Sequence, residues 1–208
     1  MRRELHVRFC EGGGVQLPSA TRLVVMCDTK RQVEEARARG SRVLTRLRLE
    51  LHPEKTRTVN LSRGREGFDF LGCHLRKRLS GPIWERSRRR VFYLQRGPSQ
   101  RARARVRGRV RDLTPRARCH TDLRIVIADL NPVLRGWGQY FRTGNAANHF
   151  TDVDEYVERR LRGLLRKRAG SRLTAGRAAV WTRPFFETLG LIRLRGTIQY
   201  PGVVHATT

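Results

Sequence analysis

Phe150, Val153, Val157, Leu161 and Leu164 recur every three or four residues, and the series stops where Arg168 would come next. That spacing draws an apolar seam down one side of a helix, and a helix with such a seam needs neighbours to cover it. Two further stripes stand just upstream. Leu123, Val126, Ile127 and Leu130 predict a helix begun by Thr121 or Asp122 and ended by Asn131-Pro132. Leu134, Trp137 and Phe141 predict another, closed by Gly144-Asn145 in the usual C-terminal fashion.

Arg101, Arg103, Arg105, Arg107, Arg109 and Arg111 alternate with small residues, which at first suggests a strand with one basic face. Ala102, Val106, Val110 and Leu113, spaced four, four and three, support a helix capped at Pro98-Ser99 instead. The helix is the better reading, because a two-residue period would line six like charges along one face of a sheet. On a helix they fan over the solvent side.

Charge is the extreme feature of the composition. Lys plus Arg number 45 against 18 Asp plus Glu, a formal net charge of +27. Only Lys30, Lys55, Lys77 and Lys167 are lysines, so the basic surface is built of guanidinium groups, which fork onto phosphates and stack on bases. GC-rich codon usage also favours Arg, but the net charge stands without that preference. A polyanion partner is expected, bound through counterion release and therefore weakened by salt.

No stretch approaches the roughly 18 apolar residues of a spanning helix, and Met1 to Leu17 holds no apolar signal core. No membrane partner is expected, and the expected location is cytoplasmic. Cys10, Cys27, Cys73 and Cys119 are scattered without zinc-finger spacing, so neither a zinc site nor disulfides are expected. The adjacent pairs Cys73-His74 and Cys119-His120 read as incidental.

Toward the N-terminus, residues 1–22 are interrupted by Glu11-Gly-Gly-Gly14 and Pro18-Ser19. Leu23 to Cys27 predicts a buried strand. Asp28 or Thr29 then caps a helix carrying Val33, Ala36, Val43, Leu44, Leu47 and Leu51, weakened at Gly40. His52 to Thr56 reads as a turn, Thr58 to Leu61 as a strand, and Phe68 to Leu75 as one alternating strand. The predicted segments are a divergent 1–22, a strand-helix-strand-strand unit within 23–83, a helical domain over 84–172, and a tail over 173–208. In the tail, Trp181 to Val204 predicts a short helix and two small strands, with Pro201-Gly202 as the last turn. The fold class is α+β, predominantly α.

A family resemblance emerges from these residues. Leu49-Glu-Leu-His-Pro-Glu-Lys-Thr-Arg57 followed by Gly67-Phe-Asp-Phe-Leu-Gly72 resembles the last palm blocks of group II intron reverse transcriptases. Leu130-Asn-Pro-Val-Leu-Arg-Gly-Trp-Gly-Gln-Tyr-Phe-Arg142 is similar to the maturase-specific block of that family, and Asp154 to Arg162 resembles the helix after it. Leu189 to Pro201 resembles a common family terminus. The resemblance implies a palm remnant, a helical thumb, and a maturase region that binds intron RNA.

Polymerase chemistry in that family requires an Asp pair on a palm hairpin and a third Asp from an earlier strand, together holding two Mg²⁺ ions. His6 to Phe9 looks like the strand entering that hairpin and Leu23 to Cys27 like the strand leaving it. Between them, from Cys10 to Arg22, the only acidic residue is Glu11. Fingers and first palm strands would precede Met1. The resemblance therefore implies no catalytic residues, no metal site, no polymerase activity of this chain's own, and Mg²⁺ only where a partner chain completes the site. Asp28 reads as a helix cap, and Asp69 as a lone acid opposite Phe68 and Phe70, without a partner.

For RNA contact, the resemblance places Lys55 and Arg57 near a template–primer duplex. Arg101 and Arg105 stand on the Arg-rich helix. Arg135 and Arg142, seven residues apart with Gln139 between, share the face opposite the apolar stripe, while Trp137 lies in the stripe and reads as core. Tyr140, at the edge of the stripe, fits either a base-stacking or a packing role. Arg159, Arg162 and Arg166, with Arg160 and Lys167, predict a cationic ridge on the seam helix.

The resulting reading is an RNA-binding maturase fragment that grips intron RNA and assists splicing by binding. Its partners are group II intron RNA and, in the family, a DNA target. A competing reading makes the chain the C-terminal half of a split RNA-directed DNA polymerase, with an N-terminal reverse-transcriptase fragment as partner. Two others are an inactive remnant with exposed sheet edges and a generic basic ribosomal or DNA-compacting protein.

Overall fold

The computed structural model describes residues 6–11, 22–49, 56–61, 64 and 66–199. They divide into two compact units: one holds the described residues up to 68 and 75–95, the other 69–74 and 96–199. The α+β, predominantly helical class is what the structure has.

In the first unit, β1 (His6–Glu11) pairs antiparallel with β2 (Arg22–Cys27), running from His6 opposite Cys27 to Glu11 opposite Arg22. Its other edge pairs antiparallel with β3 (Arg57–Asn60), so β1 is the central strand. The two strands that resembled the flanks of a palm hairpin thus pair with each other. Helix α1 (Lys30–Arg46) lies against β1 and β2. Thr29 caps it: its hydroxyl accepts the Gln32 amide and the Gln32 side chain accepts the Thr29 amide, a reciprocal capping box. Val33 is buried, but Val43 and Leu47 are exposed, so the apolar spacing over-extends the buried face.

The sequence pattern at residues 68–75 splits into two strands, β4 (Gly67–Phe70) and β5 (Cys73–Leu79). Leu71 and Gly72 between them both take positive φ, 45° and 75°, the backbone of a tight hairpin rather than of a continuing strand. A short helix α2 (Gly81–Ser87) follows, and then β6 (Phe92–Pro98), a strand inside the span expected to be helical, pairs with β5 in the order β4-β5-β6.

The second unit is built on α3 (Gln100–Leu113), α4 (Leu123–Phe141) and α5 (Ala147–Ala169). Ser99 caps α3 through its side chain, which accepts the Ala102 amide, and Val106 and Val110 are buried on its inner side. The predicted break at Asn131-Pro132 does not occur: α4 runs through Pro132 as one helix. A proline inside a helix forfeits a hydrogen bond and costs about 3 kcal/mol. Here the buried stripe Leu123, Val126, Ile127, Leu130, Leu134, Gly138 and Phe141 stays in phase across it and outweighs that cost.

Gly144 also departs from expectation. It has no positive φ; a Cβ there would lie 2.6 Å from the Arg96 carbonyl oxygen, so close backbone approach is what requires glycine. Phe150, Val153, Val157, Leu161 and Leu164 of α5 are all buried, as their spacing predicted, and form one core with the inner faces of α3 and α4.

Beyond α5 come short helices α6 (Ala175–Ala179) and α7 (Arg183–Thr188) and a 3₁₀ turn at Arg195–Thr197. The small strands expected in the tail are not found among the described residues up to 199. Phe186, Leu191 and Leu194 enter the helical core instead, and the Gln199 amide donates to the Arg142 carbonyl. Pro201-Gly202 lies outside the described residues.

Candidate nucleic-acid interface

Helical spacing sorts the arginines of α3 into two lines. Arg101, Arg105 and Arg109 follow each other at four-residue steps along one flank of the buried Val106–Val110 stripe, and Arg103, Arg107 and Arg111 along the other. Arg105 and Arg109 border a groove that α3 forms with α4. On the other flank, Arg107 and the α5 residue Arg159 both lie over the ring of Tyr156, 5.7 and 5.9 Å from its centroid. A cation held over an aromatic face in this way is oriented without losing its charge.

Other basic side chains are committed to the fold. Arg160 Nε donates to Thr114 Oγ1 at 2.9 Å, and its Nη2 reaches the Thr114 carbonyl. Arg168 Nε donates to the Cys119 carbonyl at 2.6 Å, and its Nη2 to that of Thr121. Lys167 reaches the Arg116 carbonyl, and Arg118 bridges the Leu113 carbonyl and the Asp129 carboxylate. These groups satisfy carbonyls around the turn after α3, where helical partners run out. The predicted ridge on α5 is therefore thinner than its charges imply.

Lys55 lies outside the described residues. Arg57 is exposed on β3, in the first unit. Arg101, Arg105, Arg135, Arg159 and Arg166 are exposed, and no carboxylate is paired with any of them among the described residues. Arg142 is half-buried at the end of α4. Arg162 donates to the Trp181 carbonyl at 2.7 Å and to Glu158 at 3.0 Å, so its guanidinium already has acceptors. Tyr140 is 56% exposed, and its hydroxyl donates to the Leu71 carbonyl at 2.7 Å. Trp137 packs on Phe141 and Phe150 within the helical core, as its place in the stripe suggested.

Two acidic residues escaped the sequence reading. Asp154 and Glu158 are buried on α5, facing Arg183, which lies 3.3 Å from Asp154 Oδ2 and 2.5 Å from Glu158 Oε1. Asp154 also accepts the amides of Leu194 and Arg195. Burial pushes its carboxyl above the ordinary range, partly offset by those two amides and by Arg183. Their four-residue spacing, in register with Leu161, was the available signal. A similar clasp is made by Asn131, which donates to the Gly190 carbonyl and accepts the Ile192 amide. Both hold the segment after α7 against α4 and α5.

The expectation that Asp69 has no partner is corrected. His74 Nδ1 lies 2.7 Å from Asp69 Oδ1 across the β4–β5 hairpin, which brings together residues that the one-strand reading kept apart. Cys27, Cys73 and Cys119 are free thiols; burial raises the Cys73 thiol, with Arg96 opposing and Asp69 adding to the shift. Among the described residues no helix is long and apolar enough to cross a membrane.

Residues 103–179 match the family model for the group II intron, maturase-specific domain. That span covers most of α3 and all of α4, α5 and α6, so the match falls on the helical unit. A search of curated proteins returned no match.

Proposed function

We propose that this chain is an RNA-binding group II intron maturase fragment that grips structured intron RNA and assists splicing without polymerase activity of its own. The observation that carries the reading is a coincidence. The residues matching the maturase-specific domain are also those whose helices turn arginines outward around one apolar core. Arg101, Arg105, Arg109, Arg135, Arg159 and Arg166 are the phosphate-facing set of the helical unit, and Lys55 and Arg57 are proposed separately as RNA contacts. Arg118, Arg160 and Arg168 serve the fold, and Arg162 joins them.

Backbone and shape recognition fit this set, since helical RNA exposes phosphates and a shallow minor groove. Splicing chemistry belongs to the RNA, and the protein contributes by stabilising its active fold. The absence of polymerase activity is proposed from the sequence from Cys10 to Arg22, where Glu11 is the only carboxylate and an Asp pair would be needed to seat Mg²⁺. The location proposed is cytoplasmic.

Filter-binding titration of the full chain against a group II intron RNA and a scrambled RNA of equal length, at two salt concentrations, tests the proposal. Tighter binding to the intron RNA at both salts is expected. Equal affinity for the two RNAs contradicts the maturase reading and leaves only charge. Primer extension by the isolated chain would contradict the non-polymerase part.

A further inference from the structure

The groove between α3 and α4 has a volume of about 480 Å³. Its floor is apolar, made by Val106, Val133, Trp137 and Phe141, and its rim carries Arg105 and Arg109 with no carboxylate. Leu71, from the turn of the β4–β5 hairpin, and Tyr140 stand at its edge. An apolar trough of this size with a few fixed polar groups has the form of a small-ligand site.

Tyr140 is held at two points. Its hydroxyl is tied to the Leu71 carbonyl, and its ring meets Phe141 edge-on with centroids 4.8 Å apart. The ring nevertheless stays 56% exposed, so a planar group can stack on it without first ordering it. Trp137 adds an unmet donor. Its indole Nε1 is shielded from solvent and has no acceptor among the described residues, and a nucleobase carbonyl or ring nitrogen could supply one after a small side-chain shift.

Gly136 points the same way. It sits mid-helix, where glycine costs up to about 1 kcal/mol relative to alanine. Neither a positive φ nor a close neighbour requires it, since an added Cβ would meet nothing within 4 Å. What its missing side chain leaves open is the groove it lines.

We infer that this groove receives an unpaired nucleobase of the bound RNA, stacked on Tyr140, with the flanking phosphates on Arg105 and Arg109. The inference rests on the RNA-binding reading and specifies its contact. An apolar peptide would suit the floor, but the paired arginines on the rim and the absence of acidic lining favour a polyanion.

The test uses two RNA hairpins, identical except that one carries a single unpaired adenosine and the other an abasic ribose at that position. Fluorescence anisotropy with the full chain should give about five- to hundredfold tighter binding to the adenosine hairpin, the range of one base stacked on an aromatic ring. Tyr140→Phe should keep the difference and Tyr140→Leu should abolish it. Gly136→Leu should also abolish it by filling the groove, in a helix that leucine favours more than glycine does. Equal affinity of the wild-type chain for both hairpins overturns the pocket and leaves RNA binding standing. Preference that persists in Gly136→Leu also overturns it, and failure of both hairpins to bind removes the pocket and the RNA reading together.

Discussion

Glu158 Oε1 and Arg183 Nη2 lie 2.5 Å apart, with the glutamate side chain only 9% exposed. Asp154, one turn earlier on α5, accepts from the same guanidinium and from the amides of Leu194 and Arg195. A charge network inside the helical core thus fixes the segment following α7. Removing the Arg183 cation leaves Glu158 paired with Arg162 alone and Asp154 with the two amides alone, a loss of about 1.5–3 kcal/mol. Arg183→Met should therefore lower unfolding stability by that order at neutral pH, measured by urea denaturation. A change under 1 kcal/mol would mean that the network contributes little.

Asp154 also gives the fold a pH dependence of defined sign. Its folded-state carboxyl is raised by burial, so the native chain holds that proton more tightly than the unfolded chain does. The contribution is fully present below the ordinary carboxylate value near 4 and declines as pH rises through the raised folded value. Stability of the wild-type chain relative to Asp154→Asn should accordingly fall as pH rises from about 4. Urea midpoints taken across that range check it, and a relative stability that rises with pH would contradict the assignment.

Glycines in the second unit should respond oppositely to alanine. Gly144→Ala forces a Cβ to 2.6 Å from the Arg96 carbonyl and should destabilise the chain. Gly163 lies within α5 with open space around its Cβ position, so Gly163→Ala should stabilise by about 0.5–1 kcal/mol. Thermal unfolding of the two variants gives shifts of opposite sign if the packing around Gly144 is as described.

Phe150 is fully buried and in ring contact with Trp137. Phe150→Ala should cost about 3–5 kcal/mol, the range for emptying an aromatic core position. Loss of cooperative unfolding, followed by near-ultraviolet circular dichroism, is an equally clear sign of that damage.

What the sequence made legible was periodicity. The α5 seam, the helical reading of residues 101–113 and the caps at Thr29 and Ser99 all follow from spacing and local chemistry. Pro132 misled because its local cost is visible in sequence and the continuous stripe that outweighs it is tertiary. The β4–β5 hairpin was hidden because Leu71, a residue with no turn preference, takes positive φ there. The division of the arginines was illegible for another reason. Arg160 and Arg168 bind backbone carbonyls around residues 114–121, and a carbonyl acceptor leaves no mark in the sequence.

Arg101, Arg105 and Arg109 on one flank of α3 are proposed to meet RNA phosphates, while Arg160 and Arg168, bound to carbonyls, hold the fold. The dependence of group II intron RNA affinity on salt, compared between the wild-type chain and Arg101→Gln/Arg105→Gln/Arg109→Gln, separates these two roles. Each phosphate contact removed should make the slope of log affinity against log salt shallower by about one unit. The slope of the triple variant should be reduced by roughly two to three units with unfolding stability retained. An unchanged slope would contradict the phosphate role.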